Sequence, residues 1–459
     1  MEWWVHPGSD DARLTALTTP DSLPWVPAEL PAEWRSIDGL DASRGVLCRT
    51  TFDSPTVDAG RRLWVEVAGI NEQADLWLDG AYLGDQDDYF RHHSYDITAL
   101  NTLNDRHDLL IEVNGQSPHA GVWRPIEIRT TGRAHMDATR VMTRDATEEN
   151  AHVLLGASIN SDSAIRCTIR TSIDGAVVDE RRQSLAKGDN SVSWNLDVAR
   201  PRLWWPHFLG NPNLVDVVID VLVDGVVSDS HTVRTGLREA TFQNWTCTIN
   251  GEPLFLDGAY LSQPDIDLAN ASPDSVTEPL VRARNRGIDM VRVHGHVAHP
   301  AFYDAADELG MLLLQDLPVR GSGKRGRKLS SRWIGGLVDT VGHHPSVFAW
   351  HHRGLDQFTH RGLAKADPTR DSVGHLSTVL PTSTRHKIGA WLGTLDAITR
   401  TSPESSIAAI PNLARFVTHE ELELVPPLRP DTEAQRDQLV SHLRSIGYNP
   451  TTGYCFDRL

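Results

Sequence analysis

The sequence predicts a multidomain chain of β plus α/β class, with two β-sandwiches over residues 1–135 and 136–241 and a compact (β/α)8 TIM barrel over 242–459. Three observations predict it. From about Val46 to Arg129 apolar residues recur with period two between turn signals. A second such stretch begins near Val141. After about Phe242 short apolar runs alternate with helical patterns, the signature of βα repetition. At 459 residues the chain exceeds what one core organises, which agrees with several domains.

In the first stretch Leu63, Val65 and Val67, then Ala74, Leu76 and Leu78, alternate ahead of Asp79-Gly80. In the second, Ile165, Cys167, Ile169 and Ile173 lead into Asp174-Gly175, and Val217 to Val223 leads into Asp224-Gly225. Asp-Gly between alternating apolar strands is a hairpin signal, and a span of about 100 residues suits an immunoglobulin-like sandwich. Eight candidate strands follow: Leu254 to Leu256, Met290 to Val293, Met311 to Leu314, Val347 to Trp350, a run near Val373, Ile388 to Leu392, Phe416-Val417, and Tyr454 to Phe456. Reactive groups of such a barrel belong at the C-terminal ends of its strands.

Two helices have readable ends. Ser275-Val276-Thr277-Glu278 reads as a capping box, with Gly287 as its stop. Pro300 and Gly310 frame a second helix with Phe302, Ala306 and Leu309 on one face. The chain ends after the last candidate strand without a final helix, so a partner, an oligomer or the other domains are expected to cover that end.

Composition excludes several classes. A formal charge of −17 opposes nucleic acid and anionic lipid. No apolar run reaches the roughly 18 residues of a membrane span, and Met1-Glu2-Trp3-Trp4 lacks the regions of a secretory leader, so a cytoplasmic protein is expected. Cys48, Cys167, Cys247 and Cys455 form no CxxC pair and read as buried free thiols. No cofactor motif stands out. Arg320 to Lys328 is a basic, glycine-rich segment and reads as a solvated loop.

Several strings are more specific. Ala74 to Gly80 is followed by Gly84 and Phe90-Arg91, and Gly121-Val122-Trp123-Arg124-Pro125 comes later. Leu203-Trp204-Trp205-Pro206 precedes Arg234-Thr235-Gly236-Leu237-Arg238. Arg292-Val293-His294-Gly295-His296-Val297, Phe302 to Gly310 with Gln315-Asp316, and His344-Pro345-Ser346-Val347 with Trp350 complete the set. Together they resemble glycoside hydrolase family 2, its β-mannosidase-like branch in particular, across nearly the whole chain. The resemblance implies a sugar-binding jelly roll for residues 1–135 and a retaining glycosidase barrel whose partner is a β-linked glycoside. It also makes Arg292, His294, His296 and Asp316 candidate sugar-pocket residues; indole faces suit both sugar C–H surfaces and dense cores, and Trp350 and Trp391, at proposed strand ends, read as pocket residues, with Trp77, Trp123, Trp204 and Trp205 structural.

The same alignment of motifs places the family acid/base position at Leu355 and the nucleophile position at His419, within Arg415-Phe416-Val417-Thr418-His419-Glu420-Glu421. Retaining hydrolysis needs two carboxyl groups about 5–5.5 Å apart, and neither residue supplies one. The leading expectation is a family 2 scaffold with lost or strongly impaired catalysis that serves in carbohydrate binding or regulation. An alternative keeps glycosidase activity through the shifted carboxylates Asp356 and Glu420 or Glu421. Another takes His294, His296, His351, His352, His375 and His419, which fall near strand ends, as the mouth of a metal-dependent hydrolase, although no metal set is assigned.

Overall fold

The computed structural model describes residues 1–115, 119–243, 246–254, 256–262, 268–318, 324–352, 357–370, 372–374 and 454–458. Strands build the first part. A six-stranded antiparallel sheet centres on Val46–Asp53 and Arg106–Asn114, paired in register from Val46↔Val113 to Asp53↔Arg106. Smaller sheets close over it, and Leu63, Val65, Val67, Ala74, Leu76 and Leu78 are all fully buried between the layers. Period two alone predicts that Arg62–Val67 hides one face, yet all six of its residues are buried. The second sandwich covers the other face: His135 stacks on Trp64 with ring centroids 3.9 Å apart, and Arg62 donates to Asn160.

That second sandwich packs a three-stranded sheet (Ala134–Ala146, Asn150–Ser161, Gly188–Ala199) against a four-stranded one (Ala176–Leu185, Ile165–Ile173, Val215–Val223, Val226–Thr235). Asn150–Ser161 alternates between buried and part-exposed residues throughout its length, as a strand with one face on a core must. Asp174-Gly175 and Asp224-Gly225 both have positive φ at each residue, which is the type I′ geometry expected of their hairpins.

Among the described residues the α/β region holds β1 (Leu256–Ser262), α1 (Pro273–Asn285), β2 (Met290–His294), α2 (Pro300–Leu309), β3 (Leu312–Asp316), α3 (Lys324–Val341), β4 (Val347–His352), α4 (Gln357–Ala366), β5 (Ser372–Gly374) and β6 (Tyr454–Arg458). The six strands are parallel and lie in the order β5-β4-β3-β2-β1-β6, so the last strand of the chain pairs with the first of this region. The expected strands at Ile388 to Leu392 and Phe416-Val417 lie outside the described residues. Helices cover one face of the sheet, where Val291, Val293, Leu313, Val347 and Trp350 pack with Leu280, Phe302, Leu337 and Leu363.

Two local expectations need correction. The N-cap of α1 is Ser272, whose side chain accepts from the Ser275 amide at 3.1 Å, rather than Ser275. Pro273 explains the shift, because its fixed φ suits the first helical position and it has no N–H to leave unpaired. Lys324 to Lys328, read as loop, belongs to α3. The glycines suggested a loop, but the buried Ile334, Leu337, Val338 and Val341 recur at helical spacing and anchor the helix to the sheet. Residues 320–323 lie outside the described residues.

The second sandwich is fastened to the α/β region by buried polar contacts. Arg238, 2% exposed, donates to the carbonyls of Pro345 and Val347. Trp204, fully buried, donates to the Asp307 carbonyl, and the His207 amide donates to the Gly310 carbonyl. Cys48 and Cys167 are buried free thiols, and Cys247 is buried as well. Among the described residues no helix is long and apolar enough to cross a membrane.

Candidate functional site

Residues two apart on a strand share a face, so Arg292 and His294 of β2 point to the side of the sheet opposite the helices. Asp316 ends β3 and pairs in register with His351 of β4, which brings four polar side chains to the C-terminal ends of three adjacent strands. At their centre is the Asp316 carboxylate. Its Oδ1 accepts from Arg292 Nε at 2.8 Å and lies 2.9 Å from His351 Nδ1. Its Oδ2 accepts from Arg292 Nη2 at 2.9 Å, from His294 Nδ1 at 3.0 Å and from the Gly295 amide at 3.1 Å.

This saturation fixes protonation. Burial by itself pushes the Asp316 carboxyl upward, but the Arg292 and His351 charges and the histidine hydrogen bonds outweigh it and hold the group well below the usual carboxylate range. An ionised carboxylate only accepts, so His294 and the His351–Asp316 contact place the proton of each ring on Nδ1. His351 Nδ1 also lies 3.1 Å from Arg292 Nη2, a second contact that would require the opposite tautomer. The shorter, charge-assisted bond to Asp316 is the stronger one and decides the assignment. Asp316 is therefore an anchor for two imidazoles and a guanidinium, and it holds no proton to give a leaving group.

Beyond β2 the chain turns at Gly295, whose φ is +70° and suits glycine. His296 follows, 2% exposed, with Nδ1 3.1 Å from the His294 carbonyl. Gln315 Nε2 donates to the His296 carbonyl at 2.8 Å, and Tyr303 in turn donates to Gln315 Oε1 at 2.6 Å. Sequence reasoning missed this Tyr303–Gln315 brace and the Gly295 amide. The glycine between two histidines at a strand end was the available signal.

Of the sequence-predicted residues, Arg292, His294 and Asp316 come together directly, and His296 sits on the adjoining turn. Trp350 does not join them. As the neighbour of His351 on β4 it faces the helices, is fully buried, and donates from Nε1 to Asp367 at 2.9 Å, so its expected place in a pocket is corrected to the core. Leu355, Asp356, Trp391, His375, His419, Glu420 and Glu421 lie outside the described residues. Among the described residues no group of three or more His, Cys, Asp or Glu is arranged to hold a metal ion.

Antiparallel β-sheets ahead of a parallel α/β sheet, with polar groups gathered at the carboxyl ends of its strands, define the class of the fold and the place of a candidate site. Residues 134–238 match Glycosyl hydrolases family 2, and the chain carries a domain of that family. It is 26% identical over 286 residues to an exo-β-D-glucosaminidase of Amycolatopsis orientalis, covering 56% of this chain and 28% of that protein. It is 24% identical over 370 residues to β-mannosidase B of Aspergillus clavatus, covering 66% and 42%. A family 2 glycosyl hydrolase structure from Bacteroides cellulosilyticus superposes with a TM-score of 0.70 at 19% identity, covering 92% of this chain and 64% of that one. The exo-chitosanase structure of Amycolatopsis orientalis gives 0.69 at 17%, covering 82% and 53%. These superpositions show a shared fold. The chain spans 28% to 42% of the length of the two relatives named above.

Proposed function

We propose that this protein binds a β-linked glycoside, with a β-mannoside as the first candidate, at the carboxyl ends of β1 to β4, on a family 2 scaffold whose retaining hydrolysis is lost or strongly impaired. The proposal includes closure of the parallel strands into a (β/α)8 barrel and a jelly-roll character for the first sandwich. The observation that carries it is the state of the one carboxylate at the described site. Asp316 is ionised and fully engaged by Arg292, His294, His351 and Gly295, so it cannot act as the general acid that Leu355 fails to supply. A positioned general acid contributes about 10²–10⁴ in rate, and the paired nucleophile adds more, so the absence of both removes most turnover. His294, part-exposed at the end of β2, is a hydrogen-bonding group of a kind suited to sugar hydroxyls.

The test combines calorimetric binding with hydrolysis of aryl β-mannoside, β-glucosaminide, β-glucuronide and β-galactoside at high protein concentration. Saturable binding of one glycoside without turnover is the expected result. Turnover that Asp356→Ala abolishes would establish the shifted-carboxylate glycosidase instead, and neither binding nor turnover in folded protein would reject the carbohydrate site.

A further inference from the structure

The turn that follows β2 is held residue by residue. The Gly295 amide donates to Asp316 Oδ2 at 3.1 Å, and the His296 carbonyl accepts from Gln315 Nε2 at 2.8 Å. The Val297 amide donates to the Tyr89 hydroxyl at 2.5 Å, and the Ala298 amide donates to the Tyr303 hydroxyl at 3.1 Å. Asp316, Gln315 and Tyr303 belong to the α/β region itself. Tyr89 comes from the first sandwich, 208 residues earlier in the chain. Val297 is 2% exposed, so its amide depends on that oxygen rather than on water.

The loop around Tyr89 is built to reach this turn. Its neighbour Phe90, 1% exposed, packs into the core of the α/β region and meets Trp333 of α3 edge-on, with ring centroids 6.0 Å apart. An aromatic side chain buried in the core of another region anchors the loop there. Trp123 Nε1 donates to the Tyr89 carbonyl at 2.7 Å. Gly69 permits that approach, because a Cβ there would stand 2.7 Å from Trp123 Nε1 and 3.0 Å from the Tyr89 carbonyl oxygen. Asp88, 5% exposed, accepts from the Arg91 amide at 3.3 Å and lies 3.1 Å from His93 Nε2. The Tyr89 hydroxyl is therefore carried on a braced loop, as a group that fixes a site must be.

We propose that Tyr89 is a positioning residue of the site at the strand ends, through which the first sandwich sets the Gly295 amide and the His294 ring against Asp316; the proposal rests on the glycoside reading above. Tyr89→Phe keeps the ring contacts with Phe90 and Trp123 and removes the oxygen that the Val297 amide uses. In calorimetric titration of the full chain with aryl β-mannoside, this variant should bind at least about fivefold more weakly, the equivalent of one hydrogen bond. Tyr82→Phe, which takes an exposed hydroxyl from Asp75 on the same sandwich, should leave affinity unchanged. The NMR signals of the His294 ring and the Gly295 amide are the second readout, because a loss of stability alone would not move them. They should shift in Tyr89→Phe and stay in place in Tyr82→Phe. Equal affinity in the parent and Tyr89→Phe, equal weakening in the two variants, or unmoved His294 and Gly295 signals would each overturn the assignment. A folded parent that binds no glycoside rejects the glycoside reading instead, and the two NMR signals then decide the role of Tyr89 by themselves.

Discussion

Asp316→Asn isolates the charge at the centre of the constellation while keeping its shape. In the parent, Asp316 is 5% exposed and Arg292 2%, and their two hydrogen bonds measure 2.8 and 2.9 Å. An asparagine oxygen can still accept from one side, but its amide would turn two hydrogens toward Arg292, His294 or Gly295, which are donors themselves. The variant therefore leaves the Arg292 charge buried without its counter-ion. Removing one member of such a pair costs about 3–5 kcal/mol, or roughly 10²–10⁴ in the folded-to-unfolded ratio. Arg292→Met/Asp316→Leu removes both charges and should cost less than either single change. Because a multidomain chain need not unfold in one step, native-state hydrogen exchange at the amides of β2, β3 and β4 is the suitable assay. A loss below about 1 kcal/mol for Asp316→Asn, or a double variant as costly as the sum of its singles, would mean that water reaches the pair and that the anchor argument is wrong.

Two further tests address how the parts are joined. Gly310 closes α2 with φ +67°, and a Cβ there would stand 2.7 Å from the His207 backbone nitrogen, whereas Gly287 has φ +75° with open space around it. Gly287→Ala should cost about 1 kcal/mol from left-handed strain alone. Gly310→Ala should cost roughly 2 kcal/mol or more by urea unfolding, since backbone must also move; equal costs would place His207 elsewhere. His135, stacked on Trp64, is enclosed by Asp137 and Asp229, with Arg129, His231 and Glu66 nearby. Burial would lower its pKa, but the carboxylates of Asp137 and Asp229, 3.4 and 3.3 Å from its ring nitrogens, outweigh it and raise it. Its stabilisation is thus complete below the unfolded value of about 6.5 and is lost as pH rises through the folded value. The expected decline in melting temperature across that window should flatten in His135→Asn, and an unchanged slope would assign the decline to another group.

The alternation of Leu63, Val65 and Val67 made the sandwich legible because one side of a strand on a core must be apolar. It could not reveal that Trp64 and Glu66 are covered as well, since that burial depends on a domain distant in sequence. Arg292, His294 and Asp316 were legible as pocket candidates through the family resemblance, and the structure gathers them because strand ends in a parallel sheet bring together side chains of one parity. The same rule excludes Trp350 once His351 is known to face them, so an aromatic at a strand end was the weaker signal and strand parity the stronger. What sequence could not supply was the protonation state. A carboxylate near two histidines reads equally as an acid, a metal ligand or an anchor. Only the five contacts on Asp316, two of them from one guanidinium, decide among these. They balance the charge of the carboxylate and orient both rings through Nδ1. Imidazole at a strand end, as in His294, hydrogen-bonds a hydroxyl more readily than it protonates a glycosidic oxygen and attacks an anomeric carbon, and that chemistry is the ground for the binding role proposed above.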